Sequence, residues 1–185
     1  MKRFDPLLPQ TMALFTPLTL LVAPCYAADY LTVTEAQAEL FPGADTFSEQ
    51  NILLTRAQLK AIKKRTGVRQ RNPSPPVWRV ERAGEFLGWF FVDDVIGKHE
   101  FITYAIGIDP QGEVLGLEIM SYRETHGGEV READWRQKFE GKTLDDPFKL
   151  GQDVPNISGA TLSCRNLLDG VKRLLVLQKE VLGGS

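Results

Sequence analysis

The segment with the clearest chemical potential is Asn156–Cys164, which reads NISGATLSC and leads directly into a long stretch of periodic apolar residues. A glycine-containing turn that opens a helix leaves backbone N–H groups free and adds the positive end of the helix dipole. Such a position suits a phosphate or another anion. The hydroxyl groups of Ser158, Thr161 and Ser163 can donate hydrogen bonds or serve as attachment points. The same pattern also fits an ordinary N-cap turn, which requires no ligand.

Cys164 and His126 are the side chains with nucleophilic or acid–base chemistry. A cysteine near a helix start can be activated by the helix dipole, although a lone cysteine at such a place is more often packed in the core. A hydrolase that uses Cys164 and His126 is a weak hypothesis, because no pattern brings the two side chains together. The two cysteines and two histidines of the chain show no metal-ligand spacing.

The run Ser158-Gly-Ala-Thr161, followed by Leu162-Ser163, resembles the S-G-A-T-x-[ST] motif of the FMN-binding domain family. That family includes the periplasmic flavin-bearing domains of the sodium-pumping NADH:quinone reductase and of the related ferredoxin-linked complex. In the family, the motif threonine carries FMN through a phosphoester bond, which a separate FAD-dependent flavin transferase installs outside the cytoplasm. The resemblance implies FMN as the cofactor and Thr161 as its covalent attachment point.

Two further segments extend the resemblance over roughly residues 77–175. Residues 122–128 read YRETHGG and resemble the family's x-E-T-P-G-x-G loop, which lies beside the flavin ring. The run from Trp135 to Lys142 resembles the W-x3-F-x-G-K pattern between the two motifs. The cofactor-binding residues that the resemblance implies are Thr161, Ser158, Gly159, Ala160, Leu162, Ser163, Glu124, Thr125, His126, Gly127, Trp135 and Lys142.

The chain departs from the family pattern at two positions. His126 stands where the family usually has proline, so that it either stacks on or hydrogen-bonds to a flavin or is a solvated loop histidine. Pro155 stands where the family often has an aspartate that helps the transferase recognise its target, and Asp153 lies two residues earlier. Glu124 either positions the flavin loop or is a surface carboxylate.

The elements that must position these motifs form a predicted α+β fold, an antiparallel sheet packed by helices and ending in a long helix. Alternating apolar residues and turn signals predict four strands. The last of them places Leu115, Leu117 and Ile119 on one face. Apolar residues at three- and four-residue spacing predict the C-terminal helix from about Leu162 to Val181. The predicted strands are 77–81, 86–92, 100–108 and 114–122, with turns at 82–85 and 109–112.

Capping-box patterns predict two helices before the sheet. One begins after Thr34 and ends near Leu40. The other begins after Thr55 and ends near Thr66, with Gly67 as its C-cap. Residues 69–76 contain three prolines and are predicted to form a loop. A shorter helix is predicted near residues 132–139.

The N-terminus has the features of a secretory signal peptide. A basic start, an apolar stretch over residues 11–23 and small residues before Ala28 predict cleavage after Ala27. The apolar stretch would reach about 20 Å as a helix, short of a bilayer core of about 30 Å. An apolar helix packed on the domain is the alternative, and Pro24 before Cys25 disfavours a lipoprotein. We therefore expect an exported, periplasmic protein with a signal peptide (1–27), a helical segment and linker (28–76) and an FMN-binding domain (77–185).

Composition excludes several classes of protein. The chain has 185 residues with 22 Lys and Arg against 24 Asp and Glu, and the net charge of -2 excludes a protein that coats nucleic acid through bulk charge. A hydrophobic fraction of 43% excludes a disordered chain. We find no dinucleotide-binding glycine loop, haem attachment motif or iron–sulfur cysteine pattern.

Two functional hypotheses follow from the sequence. The first is an exported electron carrier that holds FMN on Thr161 and passes electrons between a membrane-side donor and a periplasmic acceptor. Its partners would be a flavin transferase and redox proteins that are membrane-bound or contain haem or flavin, and nucleic acid is not among them. It would be a module of an oxidoreductase system rather than a self-sufficient enzyme. The second is a non-covalent FMN-binding or sensory module that docks on a membrane redox complex.

Overall fold

The computed structural model describes residues 28–183, which form one antiparallel sheet with helices on both faces. The predicted signal peptide lies outside the described residues. The strands occur in the sheet in the order β1-β6-β5-β4-β3-β2. The strands are β1 (Ala28–Asp29), β2 (Thr46–Glu49), β3 (Val77–Arg82), β4 (Glu85–Ile96), β5 (Phe101–Ile108) and β6 (Val114–Tyr122). The α-helices are α1 (Val33–Leu40), α2 (Arg56–Thr66), α3 (Ala133–Arg136) and α4 (Thr161–Leu177).

The predicted α+β fold is confirmed, and tight turns connect its four central strands. Between β3 and β4, Ala83 and Gly84 both have positive φ values, 49° and 80°. Two consecutive residues of this kind match the twist of the flanking strands, which explains the short hairpin. Between β5 and β6, the Gly112 N–H donates to the Asp109 carbonyl oxygen at 3.1 Å, which closes the predicted turn.

The prediction that Leu115 shares a face with Leu117 and Ile119 is wrong. Gly107 pairs with Gly116 and Ile108 pairs with Val114, so that Leu115 is an extra residue in a β-bulge. A bulge shifts the alternation of side chains by one position. Val114 and Leu117 consequently face the same core, whereas Leu115 is 41% exposed.

The helix starts are set by capping boxes, one of them at a different residue from the one predicted. The α2 helix begins after Thr55 and ends at Gly67, as the sequence predicts. The α1 helix is capped by Thr32 rather than Thr34, and the Glu35 carboxylate accepts a hydrogen bond from the Thr32 N–H at 2.8 Å. A carboxylate is a stronger acceptor for this N–H than the glutamine amide of the alternative box.

The predicted helix at 132–139 is shorter than expected. Only Ala133–Arg136 is α-helical, and 3₁₀ turns lie on either side at Gly128–Arg131 and Gln137–Phe139. Glu132 has an extended backbone (φ −68°, ψ 138°), which separates the first turn from the helix.

Residues 28–76 are part of the same folded unit as the rest of the described chain. The β1 strand pairs with β6 and β2 pairs with β3, so that this segment supplies both edges of the sheet. The predicted boundary at residue 76 therefore does not separate two structural units. The proline-rich loop breaks the local pattern at that point, and a local pattern does not reveal pairing between distant strands.

The sheet is buried on both faces. One face packs against α2 and α4, and the apolar residues predicted for the inner side of α4 all lie in that core. The other face packs against α1 through residues such as Leu40 and Phe90. The α4 helix ends at Leu177, and a π-helical segment, Gln178–Leu182, continues it to about the predicted end. No helix within residues 28–183 is long and apolar enough to cross a membrane.

A buried polar cluster fixes α4 against the middle of the sheet. The Arg173 guanidinium donates to the Asp93 carboxylate, which also accepts a hydrogen bond from the Tyr104 hydroxyl at 2.8 Å. Burial raises the pKa of Asp93 above its usual value, and the Arg173 charge and the Tyr104 hydrogen bond oppose that shift. Gly170 permits the close approach, because a Cβ there would lie 2.9 Å from Val95 Cγ1.

Replacing Arg173 with methionine should strongly destabilise the fold. Arg173→Met keeps an apolar side chain but leaves the Asp93 carboxylate buried without its counter-charge. We expect the free energy of unfolding to fall by about 3–5 kcal/mol, measured by urea denaturation at pH 7. Arg165→Met, at an exposed position on the same helix, should change it by less than about 0.5 kcal/mol. Equal losses in the two variants would contradict the role of the buried pair.

Candidate functional site

The start of α4 has the geometry of an anion-binding helix terminus. Gly159 has φ of +81°, and the Ala160 N–H donates to the Ile157 carbonyl oxygen at 3.1 Å, which turns the chain into the helix. The first helical bond joins the Cys164 N–H to the Ala160 carbonyl oxygen at 3.0 Å. The N-cap residue Ala160 makes no side-chain capping bond. The first-turn N–H groups therefore lack the side-chain acceptor that most helices supply.

The hydroxyl groups of the motif differ in exposure. Ser158 and Thr161 are exposed, whereas Ser163 is buried with only 2% of its surface accessible. Leu162 is 47% exposed, which is unusual for a leucine in this chain. The exposed Thr161 hydroxyl is consequently accessible to a modifying enzyme, and an apolar side chain lies beside it on the surface.

Gly127 brings the loop at residues 123–127 into direct contact with the start of α4. Its φ is +85°, and a Cβ at this position would overlap the Ala160 side chain and lie 2.8 Å from the Tyr122 hydroxyl oxygen. Only glycine combines this backbone conformation with so close an approach. The two motifs that the sequence analysis singled out are therefore in contact in the folded chain.

The Tyr122 hydroxyl ties this loop to α4. It donates to the carbonyl oxygen of His126, and it also lies in hydrogen-bonding contact with the Ser163 side chain. Burial raises the pKa of Tyr122 above its usual value, so that the hydroxyl remains protonated and able to donate. The backbone of the loop is thereby held at a fixed distance from the first turn of the helix.

Glu124 fastens a third segment to the site, the tip of the β4–β5 hairpin. Its Oε1 atom accepts hydrogen bonds from the backbone N–H groups of His99 at 2.6 Å and Glu100 at 3.0 Å. Gly97 leaves room for the carboxylate, because a Cβ there would lie 3.0 Å from Glu124 Cγ. Partial burial acts to raise the pKa of Glu124, but the N–H donors outweigh it and the pKa lies below its usual value.

These three segments enclose a small cleft of about 160 Å³. Both histidines of the chain face it, one from the hairpin tip and one from the loop. The predicted positions Glu124, Thr125, His126, Gly159 and Ser163 line the cleft together with Lys98 and His99. Within residues 28–183, no cluster of His, Cys, Asp and Glu side chains has the arrangement of a metal site.

Trp135 and Lys142 are buried and bind the segment that precedes the S-G-A-T run. The Trp135 indole N–H donates to the Pro155 carbonyl oxygen at 2.9 Å, and Lys142 Nζ donates to the Asp153 carboxylate at 2.9 Å. Asp153 also accepts from the Lys149 N–H at 2.6 Å. The structure does not bring Trp135 or Lys142 into the cleft. These residues position the motif through the segment at residues 149–155.

Cys164 is fully buried, and burial raises the pKa of its thiol. A thiol in that state is a poor nucleophile. His126 lies on an exposed loop. Nothing in this arrangement supports the hydrolase hypothesis, and the packed, structural interpretation of Cys164 agrees with its burial.

Lys98, His99 and the Tyr122 hydroxyl are the site residues that sequence reasoning missed as participants. Lys98 and His99 lie at a hairpin tip far from both motifs, and no local pattern links a hairpin tip to a helix start. The one available signal was composition, because the chain has only two histidines and the other one, His126, is a candidate by its motif.

Comparison with known proteins identifies the domain that contains this site. Residues 97–176 match the sequence model of the FMN-binding domain family, and this range includes the hairpin tip, the 123–127 loop and most of α4. The chain contains an FMN-binding domain. The cofactor of this domain is FMN.

Two curated relatives and one solved structure agree with this assignment. One relative, from the ion-translocating oxidoreductase complex of Stutzerimonas stutzeri, is 31% identical over 113 residues, which cover 55% of this chain and 50% of the relative. The protein of the same name from Shewanella oneidensis is 40% identical over 88 residues, 42% of each chain. The chain thus spans half or less of the length of these relatives. The crystal structure of Shewanella oneidensis NqrC shares the fold, with a TM-score of 0.50, 18% identity and coverage of 69% of this chain and 63% of that one.

The residues of the FMN-binding domain fit the phosphate end of FMN. An uncapped helix start, an exposed threonine hydroxyl and the nearby Lys98 side chain are all suited to an anion. The cleft, at about 160 Å³, is smaller than the roughly 300 Å³ at the low end of pockets that enclose a whole ligand. It can hold one end of FMN, with the remainder at the surface near Leu162.

Substituting Gly127 should separate the two motifs of the FMN-binding domain. In Gly127→Ala the added methyl group overlaps Ala160, and the left-handed backbone is strained as well. Gly151→Ala is the matched control, because Gly151 has φ of +82° with open space around it. We expect Gly127→Ala to lower the free energy of unfolding by about 1–3 kcal/mol more than the control, measured by urea denaturation. FMN binding should weaken only in Gly127→Ala, and equal effects in both variants would show that backbone strain alone is responsible.

The attachment of the hairpin tip should depend on the charge of Glu124. Its pKa is lowered in the folded protein, so the clamp contributes stability above the usual value of 4.5 and loses it as the pH falls through the lowered pKa. In Glu124→Gln the bonds become neutral and weaker. We expect the amide hydrogens of His99 and Glu100 to exchange about fivefold faster at pH 7, by hydrogen-exchange mass spectrometry. Glu129→Gln, an exposed position in the next turn, should leave the exchange unchanged. No acceleration in Glu124→Gln would refute the clamp.

Proposed function

We propose that the protein is an exported electron-transfer flavoprotein that carries FMN in phosphoester linkage on Thr161. It passes electrons between a membrane-side donor and a periplasmic acceptor. The observation that carries this proposal is the contact between Gly127 and Ala160, which places the 123–127 loop against the helix start where Thr161 is exposed.

Thr161 is suited to attachment because its hydroxyl is accessible while the residues around it are fixed. Ala160 and Ser163 on either side are buried, and Ser163 contacts Tyr122. In the attachment step the Thr161 oxygen bonds to the phosphorus of the FMN moiety of FAD. The pyrophosphate bond of FAD breaks, AMP leaves, and the hydroxyl proton is released. The resulting phosphodiester remains anionic beside the free N–H groups of the helix start, which favour it.

Bound FMN supplies the electron-accepting and electron-donating chemistry, and the chain supplies binding and orientation. The 123–127 loop forms one wall of the cleft and the hairpin tip forms another, with Glu124 joining them. The exposed Leu162 side chain offers an apolar surface for the part of the cofactor that extends beyond the cleft. A cofactor held at the surface in this way is accessible to a partner protein.

The relatives support a role in electron transfer with protein partners. Their printed name describes components of an ion-translocating oxidoreductase complex. The described residues of this chain offer one cofactor site, so that the protein depends on other redox proteins for a donor and an acceptor. A flavin transferase is the further partner that covalent attachment requires.

Export through a signal peptide at residues 1–27 is part of the same proposal. Covalent attachment is advantageous outside the cell, where dissociated flavin would be lost. Export is supported by the basic start, the short apolar stretch and the small residues before Ala28.

A second candidate, a non-covalent FMN-binding or sensory module, is favoured by one observation. The family aspartate that helps the transferase is replaced by Pro155, and the nearby Asp153 is engaged with Lys142 and the Lys149 N–H. Its carboxylate is therefore not free to contact a modifying enzyme. In this case the cleft would bind FMN reversibly, and the protein would dock on a membrane redox complex.

The decisive measurement is the mass of the denatured protein after co-expression with a flavin transferase and export. We expect a chain that begins at Ala28 and carries the mass of FMN minus one water, mapped to the peptide around residues 158–163. Thr161→Val should lose the added mass completely, because valine has the shape of threonine without the hydroxyl. Ser158→Ala, which removes the neighbouring exposed hydroxyl, should keep it.

The outcomes separate the two candidates. Added mass in Thr161→Val would refute attachment at Thr161. An unmodified native protein that still binds FMN would support the reversible module. A native protein that neither carries nor binds FMN would refute both.

A further inference from the structure

The two histidines of the chain come from different segments and meet at the same cleft. His99 lies at the tip of the β4–β5 hairpin and His126 in the loop after β6. Both side chains line the cleft, together with Lys98, Gly159 and Ser163. Three side chains that can carry positive charge therefore surround a space that also borders the first turn of α4.

Separate contacts hold each histidine in place through its backbone. The His99 N–H donates to the Glu124 carboxylate at 2.6 Å, and the His126 carbonyl oxygen accepts from the Tyr122 hydroxyl. Neither contact uses an imidazole nitrogen. The two rings are exposed, and both remain free to interact with a ligand in the cleft.

The other charged and titratable groups around the cleft leave it with a positive character. The Glu124 carboxylate is satisfied by backbone N–H groups of the hairpin tip. Arg123 lies beside the loop and pairs with Asp29 at 3.5 Å. The acidic groups nearest in sequence, Glu100 and Glu129, are exposed and do not line the cleft. The remaining titratable groups beneath the cleft are Tyr122 and Cys164, whose raised pKa values keep both neutral at pH 7, and Arg165 is exposed on α4.

Histidine is the side chain that changes its charge between about pH 5 and 8. An anion beside a histidine favours the protonated form, and by linkage the protonated form binds the anion more tightly. Lysine keeps its charge over the same range. The cleft thus has one permanent positive charge and two that depend on pH.

We propose that His99 and His126, with Lys98, form an anion-binding wall for the phosphate group of FMN, whose grip tightens as the pH falls from 8 to 6. This inference rests on the proposed function, since it concerns the same site. It assigns phosphate recognition to the hairpin tip and the 123–127 loop as well as to the helix start. Size supports the choice of phosphate over the flavin ring, because the cleft is only about 160 Å³ and borders Gly159 and Ser163 of the phosphate-binding turn.

The test is FMN binding to the full chain produced without a flavin transferase. Flavin fluorescence is titrated at pH 6 and pH 8 for the native protein, His99→Gln, His126→Gln and the double variant. The FMN phosphate takes up its own second proton near pH 6, so the pH effect is read as the difference between native and variant proteins. Both histidines are exposed and their backbone contacts persist, so the variants should fold, which circular dichroism checks.

We expect the native protein to bind FMN about tenfold more tightly at pH 6 than at pH 8, relative to the double variant. Each single variant should lose part of this difference. Lys98→Gln should weaken binding by a similar factor at both pH values and keep the pH dependence. Riboflavin, which lacks the phosphate, should show no difference between native and double-variant proteins at either pH.

Three results would overturn the inference. Native and double-variant proteins with the same pH profile for FMN would show that the histidines do not contact the phosphate, and the proposed function would still stand. A histidine-dependent pH effect with riboflavin would place the histidines at the ring instead. Failure of the native protein to bind FMN at either pH, with no covalent FMN after co-expression with the transferase, would refute the proposed function and this inference together.

Discussion

The buried ion pair between Arg173 and Asp93 determines where the rest of the site can form. It joins the middle of α4 to the middle of β4, and the Tyr104 hydroxyl on β5 completes it. Charges in the interior are costly unless they are paired and hydrogen-bonded, so this cluster permits few alternative positions for the helix. The axis of α4 is thereby fixed, and with it the point on the sheet edge at which Thr161 emerges.

Around that point, three segments distant in sequence are held together by contacts of different kinds. Steric fit joins Gly127 to Ala160, a hydroxyl joins strand β6 to its own loop, and a carboxylate joins the loop to the hairpin tip. Each contact involves backbone groups, whose positions vary less than those of long side chains. The functional side chains are consequently free to meet a cofactor while the chain that carries them is fixed. This arrangement suits an FMN-binding domain, in which the protein contributes attachment and orientation.

Much of the fold could be predicted from sequence because its signals are local. Alternation, turn residues and the spacing of apolar residues on α4 report on a few neighbouring residues at a time, and the central strands and the long helix follow them. The errors arose where distant contacts decide the outcome. Leu115 left its predicted face because the pairing of β5 with β6 contains a bulge, and residues 28–76 joined the sheet because β2 pairs with β3.

The sequence by itself determined the chemistry of this protein: a glycine turn with hydroxyls before a helix, a second loop motif, and through their likeness to a family the cofactor FMN. Tertiary structure alone decided which residues share the cleft. It brought Lys98 and His99 to the site, and it withdrew Trp135 and Lys142 from it by using them to hold the 149–155 segment. The physical reason is that a motif specifies local conformation and chemical groups. The neighbours of a helix start depend on how the sheet pairs and where the helix crosses it, and those are properties of the whole chain.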